Sequence, residues 1–246
     1  MSASIKLVSL NIERRRHLDL VEAMLVEQKP DVVCLQELAE TDVSRFADIL
    51  GAPAPLYKPM TRETELNGSV VIHGLGIFSH LPLTNTAIRY YAGDASRLPD
   101  SREDKSETFS IHNRFVLLGS VEKGDATFRL GTTHFTWSYD GQPTDLQRTD
   151  MKKLLALLEP EKELVLCGDF NAPRGGEIFA ELATAYEDNV PAEHTSSIDG
   201  LLHRAGKLEK MVDGMFSTPE YAVSDFEMIS GVSDHCALAA TISKTV

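Results

Sequence analysis

A chain of 246 residues suffices for one large domain with a buried core. Its composition, 42% hydrophobic and 25% charged, is that of an ordinary globular protein, and no apolar run is long enough to span a bilayer, so membrane insertion is not expected. The net charge of −13 argues against tight, nonspecific clamping of nucleic acid, which needs many Lys and Arg contacts to phosphate; it leaves room for an enzyme whose acids gather at a metal site.

The opening MSASIKLVSLNIERRR enters a strand-like alternation without the basic start, apolar stretch and small-residue cleavage site of a secretory leader, which points to a cytoplasmic protein. Ile5 to Asn11 reads as a strand, about Arg15 to Gln28 as a helix closed by Pro30, and Asp31 to Gln36 as a second strand. Another helix is opened by Thr41 or Asp42, and Gly51 to Asn67 reads as a loop. Ser69 to His80 and Asn85 to Tyr91 look like paired strands around Leu81-Pro82-Leu83. Gly93 to Ser110, dense in charged and small polar residues, reads as a solvated loop. Arg114 to Val121 and Thr127 to Phe135 flank a Lys123-Gly124-Asp125 turn.

An amphipathic helix follows from about Thr144 to Leu158, with Leu146, Leu154, Leu155 and Leu158 as its apolar stripe. A buried strand then runs from Leu164 into Gly168-Asp169-Phe170-Asn171. The last third holds a helix near Glu177 to Thr184 and strands near Met211 to Ser217, Ala222 to Ile229 and Cys236 to Ile242. No repeat or linker divides the chain, so residues 1–246 read as a single domain. Its strands alternate poorly because both their faces are covered, and the expected fold is a four-layer α/β sandwich, two packed mixed β-sheets flanked by helices. Cys34, Cys167 and Cys236, each in or beside an apolar run, read as buried reduced thiols.

Polar residues recur where these apolar strands stop. Asp169 and Asn171, two positions apart, would face the same side. Asn11 ends one strand, Glu37 follows another, His134 ends a third, and Asp234-His235 precedes the last. Singly, each is an ordinary turn, cap or structural residue. Together they form an oxygen-rich set with two histidines, suited to Mg²⁺, with Mn²⁺ as a substitute, beside a phosphate ester, whereas zinc would ask for more His or Cys at close spacing.

In order, SLN at Ser9 to Asn11, LQE at Leu35 to Glu37, TTHF at Thr132 to Phe135, GDFN at Gly168 to Asn171, VDGMF at Val212 to Phe216 and SDH at Ser233 to His235 resemble the endonuclease/exonuclease/phosphatase superfamily, the deoxyribonuclease-like metal-dependent phosphoesterases. The resemblance spans residues 5 to 242. It implies that Glu37 is the principal metal carboxylate, with Asn11 and Asp234 beside the metal. Asp169 and Asn171 would orient or deprotonate the attacking water and hold a phosphate oxygen. His235 would contact the scissile phosphate, Asp213 would orient it, and His134 would assist the leaving group. Of Asp213 and Asp199, Asp213 is favoured because Met215 and Phe216 continue an apolar strand towards SDH. Arg114, Arg15 and Trp137 are candidate substrate contacts; the Arg14-Arg15-Arg16-His17 run reads equally as the start of a helix.

The expected activity is that of a monomeric Mg²⁺-dependent phosphodiesterase acting on nucleic acid or a nucleotide-like ester. A phosphatase acting on small molecules or lipid headgroups is the alternative within the enzyme class, and a catalytically silent binding module on the same scaffold is the alternative outside it.

Overall fold

In the computed structural model, residues 3–65, 67–104 and 111–245 are described. In chain order the elements are β1 (Ser4–Asn11), α1 (Leu18–Gln28), β2 (Val32–Ala39), α2 (Val43–Leu50), β3 (Leu56–Thr64), β4 (Val70–Ser79), β5 (Leu83–Ala92), β6 (Arg114–Lys123), β7 (Ala126–His134), α3 (Asp145–Leu158), β8 (Val165–Asp169), α4 (Glu177–Ala185), β9 (Glu187–Asp188), β10 (Asp213–Ser217), β11 (Tyr221–Ile229) and β12 (Ala237–Lys244). Six strands form one sheet in the order β11-β12-β1-β2-β4-β3, and six form a second in the order β5-β6-β7-β8-β10-β9. Both sheets are mixed, with β1–β2 and β7–β8 parallel.

The central strands are buried on both faces, which is why their sequences show no polar alternation. Ile5 and Leu7 of β1, Val32 and Cys34 of β2, Phe115 and Leu117 of β6, and Val165 and Cys167 of β8 meet between the sheets. The intervening Val8, Leu10, Val33 and Leu35 pack outward against α1 and α2. On the other side, Val116, Leu118 and Leu166 pack against α3 and α4. The result is the four-layer sandwich expected from the sequence. All three cysteines are free and buried. Among the described residues, no helix is long and apolar enough to cross a membrane.

Several local expectations are corrected. The first helix begins at Leu18 rather than Arg15, because His17, at φ −125° and ψ 24°, lies outside the helical region and forms the cap. Residues 51–67, read as a loop, contain β3. The two strands around Pro82 do not pair: β4 lies in the first sheet and β5 in the second, so the chain changes layers at the proline. Leu146 is exposed on α3, and Met151 takes its place on the buried stripe. The described part of the 93–110 stretch is a loop, as expected, with a β-bridge from Asp100 to Arg62 and a short 3-10 turn at Ser101–Glu103; its residues 105–110 lie outside the described residues.

Gly168 shows why one motif position has no side chain. It has φ +144°, and a Cβ there would stand 2.0 Å from the Thr133 carbonyl oxygen of the adjacent parallel strand. Gly168→Ala is therefore expected to destabilise the fold by about 3 kcal/mol or more, through overpacking and backbone strain together, as read by urea denaturation.

Candidate active site

Strand ends meet at one edge of the sandwich. In the parallel pairs Asn11 is in register with Gln36 and His134 with Asp169, while the antiparallel β8–β10 pair sets Asp213 beside Asp169. His235 lies just ahead of β12, whose pairing with β1 returns it towards Asn11. Glu37 arrives by a β-bulge: the β2–β4 register slips between Leu35 and Leu38, and Glu37 takes φ +54°. Its neighbour Gln36 turns between the sheets and donates to the Thr132 hydroxyl at 3.0 Å. The bulge thus aims two consecutive side chains at different places.

A cavity of about 220 Å³ opens at this edge. Asn11, Glu37 and Asp234 line one part of it, and Arg114, His134, Trp137, Asp169, Asn171 and His235 also reach it. Asp213 stands behind His235, with its Oδ2 2.7 Å from His235 Nδ1. Asp199 is occupied elsewhere, accepting backbone N–H groups of Leu201, Leu202 and Gly231, so Asp213 is the partner of the histidine. Arg15 does not reach the cavity. Its exposed side chain pairs with Asp42 at 2.8 Å, because the left-handed turn at Glu13 and Arg14 directs Arg14 inward and leaves Arg15 outside.

Asp169 is the hub. Its Oδ2 accepts from Asn11 Nδ2 at 3.0 Å, a hydrogen bond that joins the two sheets, and its Oδ1 accepts from the Asn171 backbone N–H at 2.8 Å. His134 Nε2 and His235 Nε2 lie 3.5 and 3.9 Å from the same Oδ2. Asn171, at φ +50°, donates one side-chain N–H to the Phe135 carbonyl at 3.0 Å, which leaves its second N–H and its Oδ1 to offer the cavity. Helix α3 steadies these loops. It is capped by Thr144, which accepts from the Gln147 backbone N–H at 3.2 Å. The buried Gln147 donates to the carbonyls of Thr136 and Asn171, and Asp150 accepts from the Thr136 hydroxyl at 2.6 Å.

Electrostatics separate the two imidazoles. Burial alone would push His235 towards neutrality, but the carboxylates of Asp213 and Asp169 outweigh it and hold the ring well above the ordinary histidine range, as a cation. His134 is driven well below that range, by burial first and then by Arg114 and the neighbouring histidines, so it is neutral. Burial, with Asp213 adding to it, pushes Asp169 up to about 7 against the opposing pull of His235 and its two N–H donors. Arg114, fully enclosed, is held by a bond from its Nη1 to the His134 carbonyl at 3.0 Å. Trp137 stands edge-on to Tyr139, ring centroids 6.4 Å apart.

The profile of the Endonuclease/Exonuclease/phosphatase family matches residues 8–235. The chain belongs to this family. No curated protein sequence matches it significantly. Among solved structures, an endonuclease/exonuclease/phosphatase from Beutenbergia cavernae is similar with a TM-score of 0.74 at 16% identity, covering 98% of this chain and 72% of that one. The human Nocturnin catalytic domain, solved with a bound sulfate anion, aligns with a TM-score of 0.70 at 17% identity over 98% and 94% of the two chains. ANGEL2, a 2′,3′-cyclic phosphatase solved with adenosine-2′,3′-vanadate, aligns with a TM-score of 0.67 at 14% identity over 100% and 97%.

As a member of this family the chain is a phosphoester hydrolase, and its donor set fits the divalent cation that such enzymes use. Glu37, Asn11 and Asp234 line the cavity, the Asn11 Oδ1 also accepting the Glu13 backbone N–H at 3.1 Å; burial, then Asp234 and Glu37, raises the pKa of Glu13, and burial with Glu37 raises that of Asp234 against the pull of His235, a surplus of negative charge that a cation relieves. Donor atoms of Asp169, Asp213 and His235 also lie within 4.8 Å of one another. There, however, the imidazole is already bonded to a carboxylate, which suits acid–base work better than ligation.

Glu13, Glu63 and His73, which the sequence did not single out, also line the cavity, as does Arg14 of the basic run. Glu63 accepts from His73 Nε2 at 3.0 Å, and although burial opposes it, His73 and Arg14 draw its pKa down to about 2. Glu63 and His73 sit on β3 and β4, and misreading β3 hid the first of them. For Glu13 and Arg14 the signal was available, since Asn-Ile-Glu-Arg directly follows the strand that delivers Asn11. Glu13, Arg14, Glu37 and Asn171, all cavity-lining, are four of the eight non-glycine residues with positive φ among the described residues. Half of the strained backbone therefore gathers at this one place.

Proposed function

We propose that the chain is a Mg²⁺-dependent phosphodiesterase that hydrolyses nucleic-acid or nucleotide-like diesters by in-line attack of water, with Mn²⁺ able to replace Mg²⁺. The observation that carries this reading is the arrangement around Asp169: a buried carboxylate fixed by Asn11 and Asn171, facing an imidazolium that Asp213 holds at 2.7 Å. Asp169 orients the water and accepts its proton. Its elevated pKa, about 7, makes it a competent base near neutral pH. His235 offsets the charge that builds on the phosphoryl oxygens, and the second side-chain N–H of Asn171 is the group that can donate to one of them. The neutral His134 has no acidic proton to deliver; it can offer the leaving oxygen a hydrogen bond, and the proton that oxygen takes up comes from solvent water. When bound at Glu37, Asn11 and Asp234, the cation supplies Lewis-acid charge neutralisation.

A second cavity of about 240 Å³ shares Trp137, Asn171, His203, Arg204 and His235 with the first. Together they give room for a group on each side of a phosphate, with Trp137 lining both, which supports a diester over a monoester. The basic run that a phosphatase pocket would recruit is otherwise engaged: Arg14 on Glu37 and Glu63, Arg15 on Asp42, and Arg16 on Glu13. The enzyme is read as a monomer because every group in this scheme comes from one chain.

The test is hydrolysis by the purified protein of single- and double-stranded DNA, RNA, a generic phosphodiester and a phosphomonoester. Diester cleavage that disappears with EDTA and returns with Mg²⁺ is expected. Cleavage of the monoester alone would replace this reading with a phosphatase, and activity unaffected by EDTA would remove the metal from it.

A further inference from the structure

Arg14 occupies an unusual position for a charged side chain. Two successive left-handed residues, Glu13 and Arg14, turn the chain back beneath the end of β1, so that the guanidinium is only 13% exposed. Its Nη1 lies 3.2 Å from Glu37 Oε2 and 3.1 Å from Glu63 Oε2, and its Nε lies 3.5 Å from Glu65 Oε1. Glutamates from β2, β3 and the segment just after β3 therefore converge on one guanidinium. Because arginine does not lose its proton in proteins, this positive charge is permanent.

We propose that Arg14 is a built-in cation that takes the place of a second metal ion and holds the centre to a single divalent ion at Glu37. In two-metal hydrolases the ions sit about 3.5–4 Å apart and both neutralise the reacting phosphate. Here Glu37 faces the cavity while one of its oxygens is engaged by Nη1, so the carboxylate stands between the metal position and an organic cation. Glu37 and Glu63 both place an oxygen within 3.2 Å of that single nitrogen. An ion replacing Nη1 would thus meet two carboxylates already converging, with Glu65 nearby as a third donor. His73 Nε2 donates to the same Glu63 Oε2 at 3.0 Å and so holds it in that orientation. The guanidinium keeps this ready-made site closed. Arg14 acts here as a positioning residue, through Glu37 and not on the substrate.

The inference rests on the metal-dependent reading above, and its test counts ions instead of turnover. Mn²⁺ is titrated into the protein and the free ion is followed by electron paramagnetic resonance. Wild-type protein is expected to bind one Mn²⁺ per chain, and Arg14→Ala two, with spin-exchange broadening from the neighbouring pair. Arg14→Lys, which keeps the charge, should return the count to one, as should Arg14→Ala combined with Glu63→Gln. If Arg14→Ala does not fold, as judged by circular dichroism, Arg14→Gln carries the same test. Two ions in the wild-type protein, or one in the folded Arg14→Ala protein, would overturn the inference while leaving the metal-dependent reading intact. No Mn²⁺ bound to wild type would overturn both.

Discussion

Replacing Asp169 by asparagine is expected to lower kcat by about 100- to 10,000-fold, the range set by loss of a positioned general base, while stability relative to wild type rises from about pH 4 to about pH 7. The two effects have one cause. Asp169 is 2% exposed, so its charged form is desolvated, and its pKa rises from 3.8 to about 7. A carboxyl whose folded pKa lies above its unfolded value holds its proton longer in the native state, so stability falls as pH rises from about 4 to about 7. Asparagine has nearly the same shape and no charge to desolvate. The melting temperature of the variant relative to wild type should therefore climb across that window, measured in EDTA so that no bound ion contributes. It gives up one acceptor, because its amide group cannot serve both the Asn11 side chain and the Asn171 backbone N–H. A variant with wild-type kcat would remove Asp169 from the role of base.

His235→Ala should be comparably damaging, a loss of about 100- to 10,000-fold in kcat, and the interest lies in its combination with Asp213. The 2.7 Å contact between Oδ2 and Nδ1 makes the two side chains one functional unit. Asp213→Asn alone should lose less, since the imidazole remains in place with its charge less well supported. The double variant should be no slower than His235→Ala, because an orienting carboxylate has nothing left to orient. Additive losses would mean that Asp213 acts independently of the histidine.

The strands that carry the site were legible because their both-sided burial gives apolar runs that stop abruptly at Asn11, His134 and Asp169. The motif order then matched a family whose fold the structure shares. β3 was not legible. It is the edge strand of its sheet, where half exposure permits Lys58, Arg62 and Glu63 and where Pro59 is tolerated, so its composition resembles a loop. Nor does a local pattern reveal which sheet a strand joins, and this is why β4 and β5 were taken for partners. Within the Arg14-Arg15-Arg16 run, Arg15 lies outside the cavity on Asp42 while Arg14 and Arg16 line it. The left-handed turn sets the phase of that loop, and nothing in the residue types of Glu13 and Arg14 announces it.

The hydrogen bond from Asn11 to Asp169 crosses from one sheet to the other. Glu37 and His235 stand on the Asn11 side of that seam, and His134, Asn171 and Asp213 on the Asp169 side, so neither sheet holds a workable half of the site. Geometry at the reacting phosphorus is consequently a readout of how the layers are docked. A relative slip of about 1 Å, too small to expose any core residue, is enough to misalign nucleophile and acid and to slow turnover on the order of 100-fold. Apolar side chains packed between the sheets, such as Ile5, Leu117, Val121 and Phe128, thereby act as the alignment jig of the catalyst. Repacking them is a route by which rate can drift while thermal stability stays constant.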